Sequence, residues 1–406
     1  MRIVLIHQDL FFQGGQYVVA KLANGLARRG HEVHVVVSKV HADIAAAHPE
    51  AKPFALDESV AFHVLPFRRA MYNVLPLAVL LRKLNADVVL PNAGHYNQCA
   101  VLAKVVSTLS VPLVYVEHNF TGGQLSRLSR FCLKRDAKIV CVSDGVARSV
   151  RGATKLPSSR VSRIYNPILD DEFERRRAEE PSSNRLGKGH PFTVVAAGAL
   201  CSRKGFSCLI EAFRIFHEKV QDSQLLIFGR GEEAAALQRQ INDSGLEDAA
   251  HLEGFTDNLP ANLAHADVFV LSSREETFGV VLVEALACGL KVVSTDAPFG
   301  PREILQGGRF GQLVPVDAPQ AMADALKQRI EKLKEQGGDA LQRRVYNIDS
   351  EIDRIENNLG FLANSKNADI LMKEFENKIR RLKAQKAEIL NEIKLSAKST
   401  ENTDNQ

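Results

Sequence analysis

Residues 2–37 read RIVLIHQDLFFQGGQYVVAKLANGLARRGHEVHVVV. A β-branched run, a turn carrying Gly14 and Gly15, a helical stretch over 16–29 and a second β-branched run follow in direct succession. Strand, helix and strand in that order make the two strands parallel, because the chain must cross back over the sheet before the second strand starts. The alternation returns downstream: DVVL, PLVYVEH and KIVCVS are short apolar runs with a helical pattern over 98–109 between the first two. The expectation is an α/β domain with a doubly wound parallel sheet, helices on both faces, over residues 1–168.

The pattern breaks at 169–190, LDDEFERRRAEEPSSNRLGKGH, which is charged, rich in Pro, Ser and Gly, and without an apolar period. It reads as an interdomain linker. Strand-like runs then resume as FTVVAAG, QLLIFG, AAHLEG, VFVLSS, KVVST and GQLVP, a second Rossmann-like domain over 191–335. From Val345 the apolar residues Ile348, Ile352, Ile355, Leu359 and Leu362, and later Phe375, Ile379, Leu382, Ile389 and Ile393, recur at spacings of three and four. Residues 336–395 are therefore expected to form a closing helix or an appended coiled-coil hairpin able to self-associate, and 396–406 a disordered tail.

Composition narrows the function. A chain of 406 residues with 45% hydrophobic and 25% charged residues is long enough for two cores. A net charge of +4, dispersed along the chain, fits an anionic small ligand and does not point to nucleic acid. Cys99, Cys132, Cys141, Cys201, Cys208 and Cys288 include no Cys-x-x-Cys pair and no metal-ligand spacing, as expected of thiols in a reducing cytosol. The apolar start is too short for a secretory leader, so a cytoplasmic location is expected.

Three constellations carry chemistry. Gly14 and Gly15 open a helix after a strand, where backbone N–H groups can approach an anion; a tight βα turn alone would account for them equally. In GALCSRKGFSCLIEAF, Arg203 and Lys204 stand at a helix entrance, suited to a diphosphate or to a solvated basic loop. In SSREETFGVVLVEALACG, residues 272–289, the amides of Phe278 and Gly279 can receive an anion, with Thr277 and Val280 beside them. Glu276 on the turn can reach sugar hydroxyls. Glu284 is set in a helix of small apolar residues, where an exposed charge explains little and a carboxylate gripping two vicinal ribose hydroxyls explains more.

These residues resemble glycosyltransferase family 4, retaining enzymes of the GT-B fold in which two Rossmann-like domains face a cleft. The resemblance rests on Glu276 through Glu284 in EETFGVVLVEALACG, on GHEV and IYNPI in the first half, and on GFTDNLPANLAHADVFVLSS, APFGPREIL and GQLVP in the second. It covers roughly residues 1–330, in order. It implies that Glu284 holds the donor ribose, that Glu276 and His118 face the transferred sugar, and that Lys204 and the Phe278 and Gly279 amides hold the diphosphate. Gly14, Gly15, Arg203, Phe255, Thr277 and Val280 complete the implied donor site. The family commonly carries a cation where this chain has Ala199, and Arg203 is a candidate to replace it.

The sequence holds no Asp-x-Asp motif, so no metal and no other cofactor is expected. The expected activity is transfer of a hexose or N-acetylhexosamine, with a UDP-sugar the favoured donor, to a glycan or lipid-linked glycan. Such acceptors belong to cell-surface polysaccharide or lipopolysaccharide synthesis. Two alternatives stay open: a catalytically silent GT-B scaffold working through the C-terminal helices, and a nucleotide-sugar epimerase. LPFRRAMYNVLPLAVLLRKL, residues 65–84, combines four cations with apolar residues and suits peripheral contact with the inner face of the cytoplasmic membrane, or equally the core packing of an ordinary helix.

Overall fold

The computed structural model describes residues 1–11, 14–47, 53–92, 94–118, 138–187 and 191–335, with short helical pieces between 379 and 390. The first half runs β1 (Arg2–Ile6), α1 (Gly14–Arg28), β2 (Glu32–Val37), α2 (Lys39–Ala47), β3 (Ala61–Val64), α3 (Val74–Leu84), β4 (Val88–Pro91), α4 (Gly94–Ser107), β5 (Val114–Glu117), β6 (Lys138–Cys141), α5 (Asp144–Thr154) and β7 (Val161–Arg163). All strand pairings among the described residues of this half are parallel. The order is β3-β2-β1-β4 and then β5-β6-β7, with a Val89–Leu113 bridge bringing β5 beside β4.

Val4, Leu5, Ile6, Val35, Val36 and Val37 are completely buried, since helices cover both faces of the sheet. Each such side chain contributes about 1.5–3 kcal/mol by leaving water. β3 and β7 were not legible as strands. β3 is an edge strand of alternating exposure and β7 spans three residues, so neither shows the continuous apolar run of a central strand.

The second half repeats the design with β8 (Phe192–Ala197), α7 (Phe206–His217), β9 (Ser223–Phe228), α8 (Ala234–Asp243), β10 (Ala250–Gly254), α9 (Leu259–Leu263), β11 (Val268–Leu271), α10 (Val280–Ala287), β12 (Lys291–Thr295), α11 (Gly300–Ile304), β13 (Gln312–Val314) and α12 (Pro319–Glu335), after a connecting α6 (Asp171–Arg177). Its six parallel strands lie in the order β10-β9-β8-β11-β12-β13. From β8 the chain builds outward to β10 and then returns to β11 on the other side. This reversal between β8 and β11 is the place where open parallel sheets form ligand crevices.

The segment 169–190, expected as a linker, carries α6. Asp170 caps it by accepting from the Phe173 amide at 2.9 Å, and Phe173 is completely buried. One apolar anchor gives no period, which is why the charge run concealed a helix. The coiled-coil hairpin and the tail lie outside the described residues, apart from the pieces between 379 and 390. No helix among the described residues is long and apolar enough to cross a membrane.

Candidate active site

The second-half crevice is built by close backbone approach at the ends of β8 and β11. Gly205 has φ 65°, and a Cβ there would come within 2.2 Å of the Ser272 carbonyl oxygen, so only glycine fits the crossing. Ser272 Oγ donates to the Lys204 carbonyl at 2.8 Å, fixing the basic loop to the end of β11. Lys204 Nζ thereby reaches the Glu276 carboxylate in an ion pair whose two side chains are 12% and 9% exposed. The lysine and glutamate, 72 positions apart in sequence, form one buried unit. Arg203 Nη1 instead donates to the Glu275 carbonyl at 3.1 Å, on the flank of the same turn.

The turn itself is held from behind. Gly300 N–H donates to the Glu276 carbonyl at 2.9 Å, and Gly279, at φ 97°, turns the chain into α10 with no side chain capping the helix. The first amides of α10 therefore remain available to an anion. The Phe278 side chain enters the core of the first half, with its ring 5.8 Å from that of Tyr165. Thr277 offers its carbonyl to Ser143 Oγ at 2.8 Å. Val280 packs on Gly14, where a Cβ would lie 3.3 Å from Val280 Cγ2, while Gly15 faces open space.

Glu284, on α10, is 6% exposed and its carboxylate has no hydrogen-bond or ion-pair partner among the described residues. Burial lifts its pKa to about 7, against the opposing pull of Arg176 and Lys21. Arg176 comes from α6 and Lys21 from α1, so three segments meet around one acid. Tyr17, on the same helix as Lys21, has its phenol pKa raised by burial first and by Glu284 next. Lys21 Nζ is anchored 2.7 Å from Asp170 Oδ1, and Arg176 donates to the Asp257 carbonyl at 2.6 Å.

In the first half, His118 follows β5. Its Nε2 is buried without a hydrogen-bond partner, and burial, then His7, brings its pKa down to about 4. His7 Nδ1 lies 2.9 Å from the Asp9 carbonyl, so the ring donates there and leaves Nε2 as an acceptor. No contact among the described residues joins His118 to Glu276. Phe255 stands after β10, with the Arg230 guanidinium 5.2 Å from its ring centroid.

The structure thus unites Lys204 with Glu276, sets Thr277, Phe278 and Val280 against the first half, turns the chain into α10 at Gly279, and buries Glu284. His118 and Phe255 stand at separate strand ends. Sequence reasoning missed Tyr17, Lys21, Arg176, Ser143 and Glu303. The spacing of Tyr17 and Lys21, one helical turn apart just after Gly14 and Gly15, was the single local sign of them.

The sequence model described as Glycosyltransferase Family 4 matches residues 12–172, and that described as Glycosyl transferases group 1 matches residues 191–332. The N-acetyl-alpha-D-glucosaminyl L-malate synthase of Bacillus anthracis is 25% identical over 347 residues, 82% of this chain and 89% of that protein. The N-acetylgalactosamine-N,N'-diacetylbacillosaminyl-diphospho-undecaprenol 4-alpha-N-acetylgalactosaminyltransferase of Campylobacter jejuni is 26% identical over 332 residues, 78% and 87% of the two chains. The crystal structure of Anabaena HepE with UDP-glucose superposes with a TM-score of 0.67 at 20% identity, covering 97% of this chain and 100% of that one, which is likeness of fold.

Proposed function

From the premise that the chain belongs to glycosyltransferase family 4, with the GT-B fold, we propose that it transfers a hexose or N-acetylhexosamine, with retention, from a UDP-sugar to a glycan or lipid-linked glycan. The observation that carries this reading is the pairing of Lys204 with Glu276 beside the buried, unpartnered Glu284. A cation and helix amides are set for a diphosphate, and two acids for neutral hydroxyls. A buried acid without a partner costs stability, and a ligand's hydroxyl groups would supply what it lacks. The same completeness disfavours a silent scaffold. Ala199 removes one cation and leaves the remaining set intact.

In this reading the bond between the anomeric carbon and the diphosphate oxygen breaks first, and its electron pair stays on the phosphate. Lys204 and the amides at Phe278 and Gly279 stabilise that charge from fixed positions. The acceptor oxygen attacks the oxocarbenium-like carbon on the face being vacated, and its proton passes to the departing phosphate. Neutral His118 serves as a hydrogen-bonding wall for the sugar. A divalent ion has no part in this scheme, so turnover should survive excess chelator. The test is calorimetry and nucleotide release across UDP-, GDP- and ADP-sugars, with product configuration read by NMR. Tight use of one UDP-sugar with retention is expected. A folded protein that binds none of them overturns the reading.

The acceptor side carries the membrane expectation into the same proposal. α3 buries Leu77, Ala78 and Leu81 yet leaves Leu75 and Val79 exposed at 64% and 70%, next to exposed Phe67, Met71 and Tyr72. Exposed Arg69 and Lys83 flank these residues, while Arg68 is paired with Asp43, a combination suited to anionic lipid. Co-sedimentation with phosphatidylglycerol vesicles at low salt is expected, lost in Leu75→Asp/Val79→Asp. Equal sedimentation of that variant would remove the proposal.

A further inference from the structure

The donor turn is held by more than its own half of the molecule. Glu303, on α11, places both carboxylate oxygens 2.9 Å from the Asp144 amide, and Oε2 lies 3.3 Å from the Gly145 amide. Those amides are the first two of α5, an 11-residue helix in the other half. A carboxylate at a helix N-terminus satisfies amides that would otherwise lack acceptors and meets the positive end of the helix dipole. Burial first, and then the neighbouring Glu303 carboxylate, raise the pKa of the Tyr165 phenol. Next to this cap, Phe299 has φ 80°, an uncommon conformation for a bulky residue that the surroundings must hold in place. It packs on Gly145, where an added Cβ would fall 2.6 Å from Phe299 Cδ1 and 2.9 Å from its Cα. Gly300, the next residue, grips the Glu276 carbonyl, and Ser143, the residue before α5, grips Thr277.

We propose that Glu303 is a positioning residue for the donor site. Seated on α5 of the opposite half, its carboxylate holds the 276–279 turn in place and so couples closure of the cleft to nucleotide affinity. The polypeptide path makes the coupling short: Glu303 is on α11, α11 begins at Gly300, and Gly300 is bonded to Glu276, the partner of Lys204. The Ser143–Thr277 and Gly145–Phe299 contacts link the same turn to the same helix end. If α5 moves away, its contacts with Glu303, Thr277 and Phe299 are lost together, and the turn keeps only the Gly300 bond from its own half. This inference rests on the donor-site reading above.

Two variants from opposite sides of the contact test it in the full-length chain. Glu303→Ala removes the cap and is expected to weaken UDP binding by calorimetry about tenfold, the scale of a lost charge-assisted hydrogen bond. The donor KM rises in proportion and kcat changes less, and Glu303→Gln, which keeps one acceptor, falls between. Gly145→Ala drives a methyl group into Phe299 while giving α5 a better helix former. The methyl group meets the Phe299 Cα as well as its ring, so the contact must open, and UDP binding should weaken while the chain keeps its helical signal by circular dichroism. Small-angle scattering of the nucleotide-free chain should show a larger radius of gyration in both Ala variants. Unchanged UDP affinity in both, or a loss in Glu303→Ala that only follows a lower melting temperature while Gly145→Ala behaves as wild type, overturns the proposal. A wild-type chain that binds no UDP instead overturns the donor reading, and the scattering comparison still decides whether Glu303 holds the halves together.

Discussion

Glu284→Gln is expected to melt at a higher temperature than the wild type at pH 8 and to lose donor use at the same time. The acid is buried, and its pKa stands at about 7 against an ordinary 4.5. Below pH 4.5 it is protonated in the folded and unfolded chains alike and favours neither. Between 4.5 and 7 the folded chain keeps a proton that the unfolded chain has released, so this group's contribution to stability declines as pH rises. Above pH 7 the whole penalty is present, about 3 kcal/mol at 1.36 kcal/mol per pKa unit. Glutamine, neutral and of the same shape, removes it. The carboxylate is also the stronger acceptor for ribose hydroxyls, and losing charged hydrogen bonds of about 1.5–3 kcal/mol each should lower kcat/KM about a hundred- to a thousandfold. Nucleotide affinity of the wild type should accordingly rise through pH 7 and that of the variant stay flat. Melting curves at pH 5 and pH 8, with calorimetry over the same range, check both halves. A variant no more stable at pH 8 than the wild type would mean that the acid is not held at a cost.

The second large effect concerns Lys204. Lys204→Met leaves the Glu276 carboxylate buried without its cation, which costs about 3–5 kcal/mol, a large part of the 5–15 kcal/mol that typically separates folded from unfolded. The diphosphate loses its fixed charge as well, so donor turnover should fall about a hundredfold or more. Stability and catalysis separate in the double variant Lys204→Met/Glu276→Gln, which removes both charges of the pair. It should recover most of the lost melting temperature and none of the activity. A single variant that melts like the wild type would show that solvent reaches the pair, and the unit described above would not exist as such.

Much of the fold was legible because parallel strands buried on two faces must be continuous apolar runs. Five strands of the second half, and β1, β2, β4, β5 and β6 of the first, appear as largely apolar runs in the sequence, while the edge strand β10, AHLEG, is marked by its place in the alternation and not by an apolar run. The edge strand β3, the three-residue β7 and the charged α6 carried no such mark. In the site, Glu284 was legible as an acid in a small-residue helix, and Lys204 as a cation at a helix entrance. Their partners were not. The Lys204–Glu276 pair spans 72 positions, and the Glu303 contact with Asp144 spans 159, distances over which local pattern holds no information. The Arg203 side chain, a candidate to stand in for the cation absent at Ala199, turns to the Glu275 carbonyl, a choice set by the crossing at Gly205 that sequence alone does not reveal.

The connecting helix α6 bears on how such chains can be recombined. Asp170 at its start is bonded to Lys21 of the first half, Arg176 near its end to the Asp257 carbonyl of the second, and Phe173 between them is completely buried. The joint is therefore owned by both halves. A chimaera built by exchanging the first half for that of a relative has no neutral splice point within this joint. A cut before Asp170 separates it from its Lys21 partner, and a cut after Arg177 leaves the Asp257 carbonyl facing a foreign helix. Working hybrids would carry Lys21, residues 170–177 and Asp257 as one inherited set.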